Sequence, residues 1–460
     1  MTSPLPHTVG PDPAARGSAL LFWAQVAGNS GLFVALVLIT RALGPSGRGT
    51  IAFITVAAIL LARIARLGIS EAATVFTAQR PAARPVLLTN LILSVGTSAA
   101  VGACLVCGAL ALLPAAVRPS GIGALELVLV GLGAFASAFA DAGYTFVLGC
   151  SRFRLHALMT GVAAWLYVLL VAAIWAAAGL TVARAALAWI AVQGLKGFLL
   201  LAISARDSGL GRPDGALLGE SVRFGLRAWF GTLSDALNDR LDQVITAFIA
   251  SQAVLGFYAV AVNASEVLLY LPGAAATAVL PLAARSDPQV RVERVVRAFR
   301  SVMLVSLATV AIGAALGPLL LPLVFGEPFS DSVSPFLLLL PATLGYVALS
   351  IFSSALVASG APGRSSLGPL VSLVVTVGLD FILIPRYGAS GAAGATSVGY
   401  VVGGGMALAL YRRWGTFPWK ALVPKRSDLE LVRALAKPLG ARFSRRSRRT
   451  GAPDRPETRS

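Results

Sequence analysis

The sequence contains few charged side chains and almost no histidine. Only 13% of its 460 residues are charged, whereas an ordinary soluble domain carries roughly a quarter. His7 and His156 are the only histidines, which leaves little material for histidine-based catalysis. Cys104 and Cys107 form a C-x-x-C inside an apolar run without an acidic or histidine neighbour, so we expect neither a zinc site nor a disulfide framework. These shortages argue against a soluble enzyme.

Long apolar runs are what the sequence has instead. Hydrophobic residues make up 57% of the chain, and the mean hydropathy is +0.80. Residues 86–113 contain no charged side chain, and a helix of that length crosses about 30 Å of hydrocarbon at about 1.5 Å per residue. A chain this apolar cannot cover itself with polar surface, so we predict an all-α polytopic membrane protein.

The apolar runs and the breaks between them predict about twelve transmembrane helices. The first run lacks a cleavage site after a short apolar core, so we interpret it as a retained helix. A polar break with Pro213 and several glycines predicts a linker between two six-helix halves. The predicted helices are 18–40, 50–78, 86–115, 122–149, 155–179, 182–203, 221–250, 253–283, 298–325, 332–358, 364–384 and 389–412. The predicted domains are an N-terminal segment 1–17, a first half 18–203, a linker 204–220, a second half 221–412 and a basic tail 413–460.

The arginines in the loops predict the orientation of the chain. If the N-terminus is cytoplasmic, the inner loops hold Arg80, Arg84, Arg152, Arg154, Arg206, Arg212, Arg285, Arg291, Arg294, Arg297 and Arg364. The outer loops then hold only Arg41, Arg48, Arg118, Arg184 and Arg386. Because cytoplasmic loops carry the excess of basic residues, this bias predicts that both termini are cytoplasmic and that the helix count is even.

The two halves resemble each other at three places in the same order. Gly49-Thr-Ile-Ala pairs with Gly256-Phe-Tyr-Ala, Arg154 pairs with Arg364, and the segment that begins at Gly179 pairs with the one at Gly388. The three offsets are nearly equal, which is typical of an internal repeat. Six helices per repeat is an even number, so the halves share their orientation and a pseudo-two-fold axis runs along the membrane normal. A cleft between two such halves is the natural place for a substrate.

Four segments carry a resemblance to a known family, over residues 19–410. They are RALGPSGRG from Arg41, GCSRFR from Gly149, the stretch 242–258, and LIPRYGASGAAGAT from Leu383. Together they resemble the polysaccharide-export flippases of the multidrug/oligosaccharidyl-lipid/polysaccharide exporter superfamily. The resemblance implies transport of a lipid-linked saccharide by alternating access. Two residues depart from the family pattern: Asp380 stands where asparagine is usual, and Arg66 stands where an acidic residue is common.

The seventh helix has a polar face. At 100° per residue, one broad face holds Arg227, Gly231, Ser234, Asp235, Asn238, Asp239, Asp242 and Thr246. Arg240 points away from that face. Since charged groups in a membrane face a partner or a wet cavity, we interpret the face as one wall of a cleft. The alternative is ion pairing among helices without a ligand.

Two sets of residues on these helices are candidate site residues. For a phosphate or saccharide we propose Arg63, Arg66, Arg227, Ser234, Asn238 and Arg240, because arginine donates two parallel hydrogen bonds to phosphate. For coupling to an ion we propose Asp235, Asp239, Asp242 and Glu266, whose crowded carboxylates favour a coupling proton or Na⁺. The alternatives are that Arg63 and Arg66 extend toward the inner interface, and that Arg227 or Arg240 permanently neutralises the acids. Asp141 and Lys196 also lie in the inner halves of their helices, and the simplest interpretation is that they pair with each other. We expect no other cofactor and no metal.

The end of the chain is basic. Trp414, Phe417 and Trp419 are typical of an interfacial belt, and Ser427 to Glu430 predicts a capped amphipathic helix. Beyond it lies a basic cluster of Arg442, Arg445, Arg446, Arg448 and Arg449. We expect a solvated tail attracted to anionic lipid, since no aromatic pattern supports binding of nucleic acid.

Three functions remain in order of preference. The first is a flippase for an isoprenoid-linked saccharide in the cell membrane, with other polysaccharide-assembly proteins as further partners. The second is a cation-coupled multidrug exporter of the same superfamily. The third is a membrane polysaccharide polymerase or ligase, which the short outer loops without a catalytic pair disfavour.

Overall fold

The computed structural model describes residues 13–112, 114, 119–284, 288–425 and 428. Within them the chain forms α-helices joined by short turns, with three short 3₁₀ helices. The α-helices are α1 (Pro13–Ala65), α2 (Ile69–Gln79), α3 (Arg84–Leu112), α4 (Ala124–Gly149), α5 (Phe153–Ala178), α6 (Val182–Ser208), α7 (Gly215–Ile249), α8 (Gln252–Ala284), α9 (Pro288–Phe325), α10 (Val333–Ala358), α11 (Pro362–Ser365) and α12 (Leu367–Gly415).

Two of these helices each turn back on themselves at a glycine. Gly44 in α1 has φ 67°, and Gly388 in α12 has φ 56°. A left-handed conformation suits glycine because it lacks a Cβ, so each helix divides there into two crossings. Nine stretches of the described chain are long and apolar enough to cross a membrane, and both divided helices are among them. The all-helical, multi-pass fold predicted from the sequence is confirmed.

The crossings alternate between two ends of the molecule. One end carries the turn at Gly44, and we call it the Gly44 end. The other carries Arg80 between α2 and α3, and we call it the Arg80 end. The predicted linker 204–220 is largely helical: α6 continues to Ser208 and α7 already begins at Gly215.

The second crossing is broken, contrary to the prediction of one helix over 50–78. α1 ends at Ala65, Leu67 and Gly68 adopt φ values of 49° and 74°, and α2 begins at Ile69. A Cβ on Gly68 would lie 2.0 Å from the backbone oxygen of Gly225 in α7. The break therefore lets the backbones of the two halves touch at this point.

A second backbone contact joins the halves at the Gly44 end. A Cβ on Gly49 would lie 1.8 Å from the backbone oxygen of Gln252, and one on Gly256 would lie 2.0 Å from that of Pro45. Each glycine thus packs against the carbonyl of the residue that lies four positions before the other glycine. Such reciprocity is what a two-fold axis between the helices produces, so the repeat inferred from Gly49 and Gly256 has a direct structural counterpart.

The apolar core consists of several clusters, some of which cross between the halves. One cluster packs α1, α4, α5 and α6 around Ile54, Leu129 and Trp189. Another packs α9, α10 and α12 around Phe352 and Tyr411. Phe53 meets Phe248 edge to face across the junction, with ring centroids 6.4 Å apart. The junction between the halves is thus apolar along much of its length.

Polar contacts close the junction at the Arg80 end. Arg80 binds the Glu220 carboxylate with both terminal nitrogens, at 2.7 and 2.5 Å. The Asn90 amide donates to the Asp214 carbonyl at 2.8 Å, and the Asp214 backbone N–H donates back at 3.2 Å. α7 is therefore fastened to the first half through side chains as well as through Gly68.

The segment after α12 folds back onto α9. Arg300 donates to both oxygens of Asp428, at 2.7 and 3.0 Å, and to the Ala421 carbonyl at 2.6 Å. The Arg300 and Asp428 side chains are 7% and 0% exposed. This part of the tail is docked rather than solvated. Outside the described residues lie the cluster Arg442, Arg445, Arg446, Arg448 and Arg449, the predicted cap residues Ser427 and Glu430, and the loop residues Arg118 and Arg285.

Candidate functional site

A cavity of about 430 Å³ lies in the second half of the chain. Its walls come from α7, α8, α10 and α12, and they combine acidic, hydroxyl and aromatic side chains. The lining residues are Asn238, Asp239, Asp242, Val262, Ser265, Glu266, Leu269, Leu339, Ala342, Thr343, Tyr346, Thr396 and Tyr400. The polar face predicted for the seventh helix therefore does line a cavity, through its segment 238–242.

Asp242 is the most heavily bonded of the predicted carboxylates. It is 6% exposed and accepts from the Gln243 backbone N–H at 2.7 Å and from Thr396 Oγ1 at 3.2 Å. Tyr258 Oη also donates to it and lies 3.0 Å from Thr396 Oγ1. Side chains from α7, α8 and α12 thus meet at one buried carboxylate.

Asp380 completes this cluster. It is fully buried, and neither of its carboxylate oxygens has a hydrogen-bond partner among the described residues. The charge of Asp242 acts on Asp380, and the charge of Asp380 acts on Tyr258. Because a buried carboxylate without a partner costs several kcal/mol unless it is neutralised, Asp380 is a candidate to bind a proton or a cation. The oxygens of Asp242, Asp380 and Thr396 suit a hard cation.

Arg240 and Glu266 form an ion pair beside the cavity. Arg240 Nη1 lies 2.8 Å from Glu266 Oε1, and both side chains are about one-third exposed, at 31% and 29%. Arg240 was expected to point away from the polar face, but its guanidinium reaches the acid on α8. Arg240 therefore pairs directly with Glu266, and its charge also acts on Asp239 and Asp242.

The other predicted residues of α7 occupy different positions. The Asn238 amide donates to the Pro369 carbonyl at 2.8 Å and links α7 to α12. Asp239 lines the cavity from an exposed position, and Ser234 is also exposed. Asp235 is helical, but its side chain lies outside the described residues.

The predicted phosphate-binding arginines do not converge on this cavity. Arg66 is 8% exposed and pairs with Asp141 at 3.4 Å inside the first half. Asp141 thus pairs with Arg66, the residue proposed as a phosphate ligand. Arg63 is half-buried at the end of α1, where its backbone carbonyl accepts from Trp229 Nε1 at 3.0 Å. Arg227 is exposed on α7.

Sequence reasoning missed Asp380, Tyr258 and Thr396 as members of the site. Asp380 was noted only as a departure from the family pattern, although one acidic residue in an apolar run is itself a signal. Tyr258 and Thr396 lie in segments quoted for their resemblance. Nothing along the chain places them near Asp242, because they come from α8 and α12.

Three solved structures share the fold at low sequence identity. The lipid II flippase MurJ, in an inward closed conformation, matches with a TM-score of 0.71 and 14% identity over 89% of each chain. A multidrug resistance MATE family transporter in an inward-facing conformation matches with 0.67 and 17% identity over 88% of this chain and 98% of that one. An outward-facing MATE structure matches with 0.53 and 16% identity over 87% and 98%. No curated protein matches the chain.

A family model described as "polysaccharide biosynthesis protein" matches residues 38–334. The match covers both sides of the Gly49–Gly256 junction and four of the six residues of the cluster, namely Arg240, Asp242, Tyr258 and Glu266. It spans well over half of the chain. With a fold shared by MurJ and the MATE transporters of the MOP superfamily, this chain belongs to the polysaccharide biosynthesis protein family.

Proposed function

We propose that the protein is a transporter that flips a lipid-linked oligosaccharide or polysaccharide precursor across the cell membrane. The observation that carries the proposal is a cavity with acidic and amide side chains in its wall, among long helices of a multi-pass member of a polysaccharide biosynthesis family. The halves meet through apolar surfaces, backbone contacts and, at the Arg80 end, polar side chains, a limited set of contacts that suits rigid bodies that rock against each other. On this proposal the chain moves its substrate and performs no bond chemistry on it.

The orientation follows from the loop arginines. We infer that the Arg80 end faces the cytoplasm and that both termini lie there. The Gly44 end then faces outward, and its closure by Gly49 and Gly256 makes this an outward-closed arrangement. The higher TM-score with the inward-facing MATE structure than with the outward-facing one supports that assignment.

The substrate is proposed to be an isoprenoid-linked saccharide. Arg63 and Arg227 supply charge near the cytoplasmic part of the junction for its phosphates, and Asn238 and Ser234 supply hydrogen bonds for sugar hydroxyls. Arg66 and Arg240 act on the substrate only if it displaces Asp141 or Glu266. Anionic lipid is the proposed partner of the basic tail, and polysaccharide-assembly proteins are further partners.

Coupling is proposed to reside at Asp242 and Asp380. A proton or Na⁺ bound between these carboxylates relieves their repulsion. It also changes the hydrogen bonds that the hydroxyls of Tyr258 and Thr396 make to Asp242. These residues join α7, α8 and α12 at the wall of the cavity. Binding of the ion therefore changes how these helices of the second half pack. Asp239 and Glu266 face the same cavity and contribute to its electrostatic potential.

A cation-coupled multidrug exporter is the second candidate. The cavity offers Leu339, Tyr346 and Tyr400 beside its acids, a combination that suits lipophilic cations. Deleting the gene distinguishes the two. We expect lipid-linked saccharide to accumulate on the cytoplasmic leaflet, with restoration by the wild-type gene. Raised sensitivity to cationic drugs without such accumulation contradicts the flippase and supports the exporter.

A further inference from the structure

The cavity of the second half has an acidic wall. Its lining includes the carboxylates of Asp239, Asp242 and Glu266, and within the described part of the chain no basic side chain lines it. Arg240 lies beside the cavity and pairs with Glu266 at 2.8 Å. Three carboxylates and one guanidinium leave a formal charge of −2 at this wall. Because carboxylates inside a membrane protein are costly unless a cation approaches them, the cavity attracts cationic groups and repels phosphate.

The cavity is larger than a metal ion needs. Its volume is about 430 Å³, whereas a single water molecule needs only about 10–15 Å³ of such space. Beside the acids, Val262, Leu269 and Leu339 supply aliphatic surface. Tyr346 and Tyr400 meet edge to face there, with ring centroids 5.8 Å apart, and aromatic faces attract ammonium groups. The size and the lining therefore fit an organic molecule that carries a positive charge.

Neutral polar side chains give the same cavity further hydrogen-bonding capacity. The Asn238 amide donates to the Pro369 carbonyl at 2.8 Å, which fixes it in the wall, and Ser265 Oγ donates to the Val262 carbonyl at 2.8 Å. The Ser265 hydroxyl oxygen still has lone pairs with which it can accept. Thr343 adds another hydroxyl. A cation that also carries hydroxyl groups matches this wall better than a purely lipophilic one.

We propose that this cavity binds an organic ammonium group, and that in transport the group is a protonated amine on a sugar of the lipid-linked saccharide. The assignment to a sugar rests on the proposed function and narrows its substrate to saccharides with a free amino group. Asp239, exposed on the cavity wall, pairs with the amine, while Asp242 is held by Tyr258 and Thr396. A lipophilic ammonium compound is the other source of the same chemistry. The phosphates of the substrate stay outside this acidic cavity.

The test is ligand binding to the purified full-length protein, measured as the rise in melting temperature on titration. The probes are the glucosamine disaccharide, its fully N-acetylated counterpart and the lipophilic cation benzyltributylammonium, at a pH at which the free amine is protonated. Acetylation removes the charge of the sugar and leaves its hydroxyls in place. The variants are Asp239→Asn, which removes the carboxylate charge, and Asp239→Glu, which keeps it. The control is Asp331→Asn, an exposed aspartate that does not line the cavity.

We expect the glucosamine disaccharide to raise the melting temperature of the wild type. The acetylated disaccharide should bind about tenfold more weakly or worse, because hydrogen bonds between charged groups are roughly twice as strong as neutral ones. Asp239→Asn should bind the two disaccharides with equal affinity. Asp239→Glu and Asp331→Asn should keep the preference for the free amine.

Two results overturn the amino-sugar site. In the first, the wild type binds both disaccharides equally or binds neither, a comparison that does not depend on the folding of any variant. In the second, Asp239→Asn keeps the preference for the free amine. Binding of benzyltributylammonium that depends on Asp239, without binding of either disaccharide, assigns the cavity to lipophilic cations instead.

Flipping in vesicles separates this site from the proposed function. If the glucosamine disaccharide binds through Asp239 but an isoprenoid-diphosphate-linked glucosamine saccharide does not move between leaflets, the site stands and the proposed function fails. If the glucosamine and the N-acetylglucosamine lipids move equally fast and their disaccharides bind equally, the flippase stands and the amino-sugar site fails.

Discussion

At the scale of residues, the second half of the chain is organised around Asp242 and Asp380. Asp242 receives three hydrogen bonds from the protein, whereas Asp380 receives none among the described residues. Asp242 is thus fixed by the protein, whereas Asp380 has no such contact. On the proposed coupling, Asp242 holds the helices together and Asp380 binds the proton or cation.

Replacing Asp380 with asparagine tests its assignment. We expect Asp380→Asn to fold, because it removes a buried charge without changing shape, and to abolish the dependence of transport on a proton or sodium gradient. Passive scrambling of lipid should persist. The measurement is gradient-driven transport in proteoliposomes, with each ion gradient imposed separately.

The matched control is Asp331→Asn, an exposed aspartate at the Gly44 end. It should leave the gradient dependence unchanged. Asp242→Asn should lose both the gradient dependence and stability, since it weakens the charged acceptor of Tyr258 and Thr396 by about 1.5–3 kcal/mol. Retention of gradient-driven transport by Asp380→Asn and Asp242→Asn together contradicts the coupling assignment.

Periodicity along the sequence predicted part of this site. Asn238, Asp239 and Asp242 share a face of α7, and all three line the cavity. Asp380 could not be placed in the same way, because it is a single acid on another helix and its role depends on tertiary contacts. The pairing of Arg240 with Glu266 was missed for a related reason: a helical wheel gives the direction of Cβ, while a long side chain reaches around the helix.

At the scale of elements, the contact between Gly49 and Gly256 keeps the Gly44 end closed. The second crossing and α8 approach until each backbone meets the other's carbonyl oxygen, which only residues without a Cβ allow. Arg41 adds a link, since its Nε donates to the Val324 carbonyl at 2.8 Å and so caps the end of α9. On the proposed function, these contacts must separate before a substrate leaves on that side.

Adding a methyl group at Gly49 should open this end. Overpacking costs about 1–3 kcal/mol, which corresponds to about a fivefold to 150-fold shift toward the open form. Thr40 is fully buried at this end, so a cysteine there reports opening through its rate of labelling by a membrane-impermeant maleimide. The three native cysteines are replaced first.

We expect Gly49→Ala to increase the labelling rate of Thr40→Cys within that range. Gly405→Ala is the control, because a Cβ at Gly405 meets nothing within 4 Å. If labelling in Gly49→Ala equals that in the control, the glycine contact does not hold this end closed.

The segment docked on α9 by Asp428 has its own prediction. Burial opposes the charge of the Asp428 carboxylate, but hydrogen bonds from Arg300 and from the Lys425 backbone N–H outweigh it and hold the Asp428 pKa below its ordinary value. The stabilisation is therefore fully present above the ordinary aspartate pKa of about 3.9. It is lost as the pH falls through the lowered pKa of the folded protein.

Asp428→Asn should lower the free energy of unfolding by about 3–5 kcal/mol, because it leaves Arg300 buried without its counter-ion. The loss should be the same throughout the neutral range, where Asp428 is ionised. Glu293→Gln is the control on the same helix, since the Arg297–Glu293 pair is more than half exposed and contributes about 0–1 kcal/mol. Equal effects of the two substitutions in chemical unfolding contradict the docked arrangement.

Turns were predicted better than breaks within helices. The sequence paired Gly179 with Gly388, and both adopt positive φ values, 71° and 56°, at equivalent turns. The break at Leu67 and Gly68 was missed, because glycine inside an apolar run is compatible with a continuous membrane helix. Its cause is the backbone of Gly225 on a distant helix, which no local pattern reveals.

At the scale of the whole molecule, the proposed direction of transport rests on the distribution of basic residues. The Arg80 end is the richer in arginine, and cytoplasmic loops carry that excess. Outward flipping then runs from the Arg80 end, where Arg63 and Arg227 lie, to the Gly44 end, where Arg48 lies.

Fusing reporters after Ser460 tests this direction. A reporter that is active only in the cytoplasm should work there, and one that is active only outside should not. The complementary fusion within the turn after α9, next to Asp331, should give the opposite pair of results. An active external reporter at Ser460 contradicts the orientation and an even number of crossings.

Flipping by the purified protein tests the central claim most directly. Vesicles reconstituted with the full chain and a fluorescent isoprenoid-diphosphate saccharide are sampled with a membrane-impermeant quencher, with and without an imposed ion gradient. We predict that the labelled lipid moves between leaflets faster than in protein-free vesicles, that a gradient makes the movement directional, and that Asp380→Asn retains the exchange but loses the direction. No movement above the protein-free rate, together with gradient-driven uptake of a lipophilic cation by the same vesicles, would contradict the account.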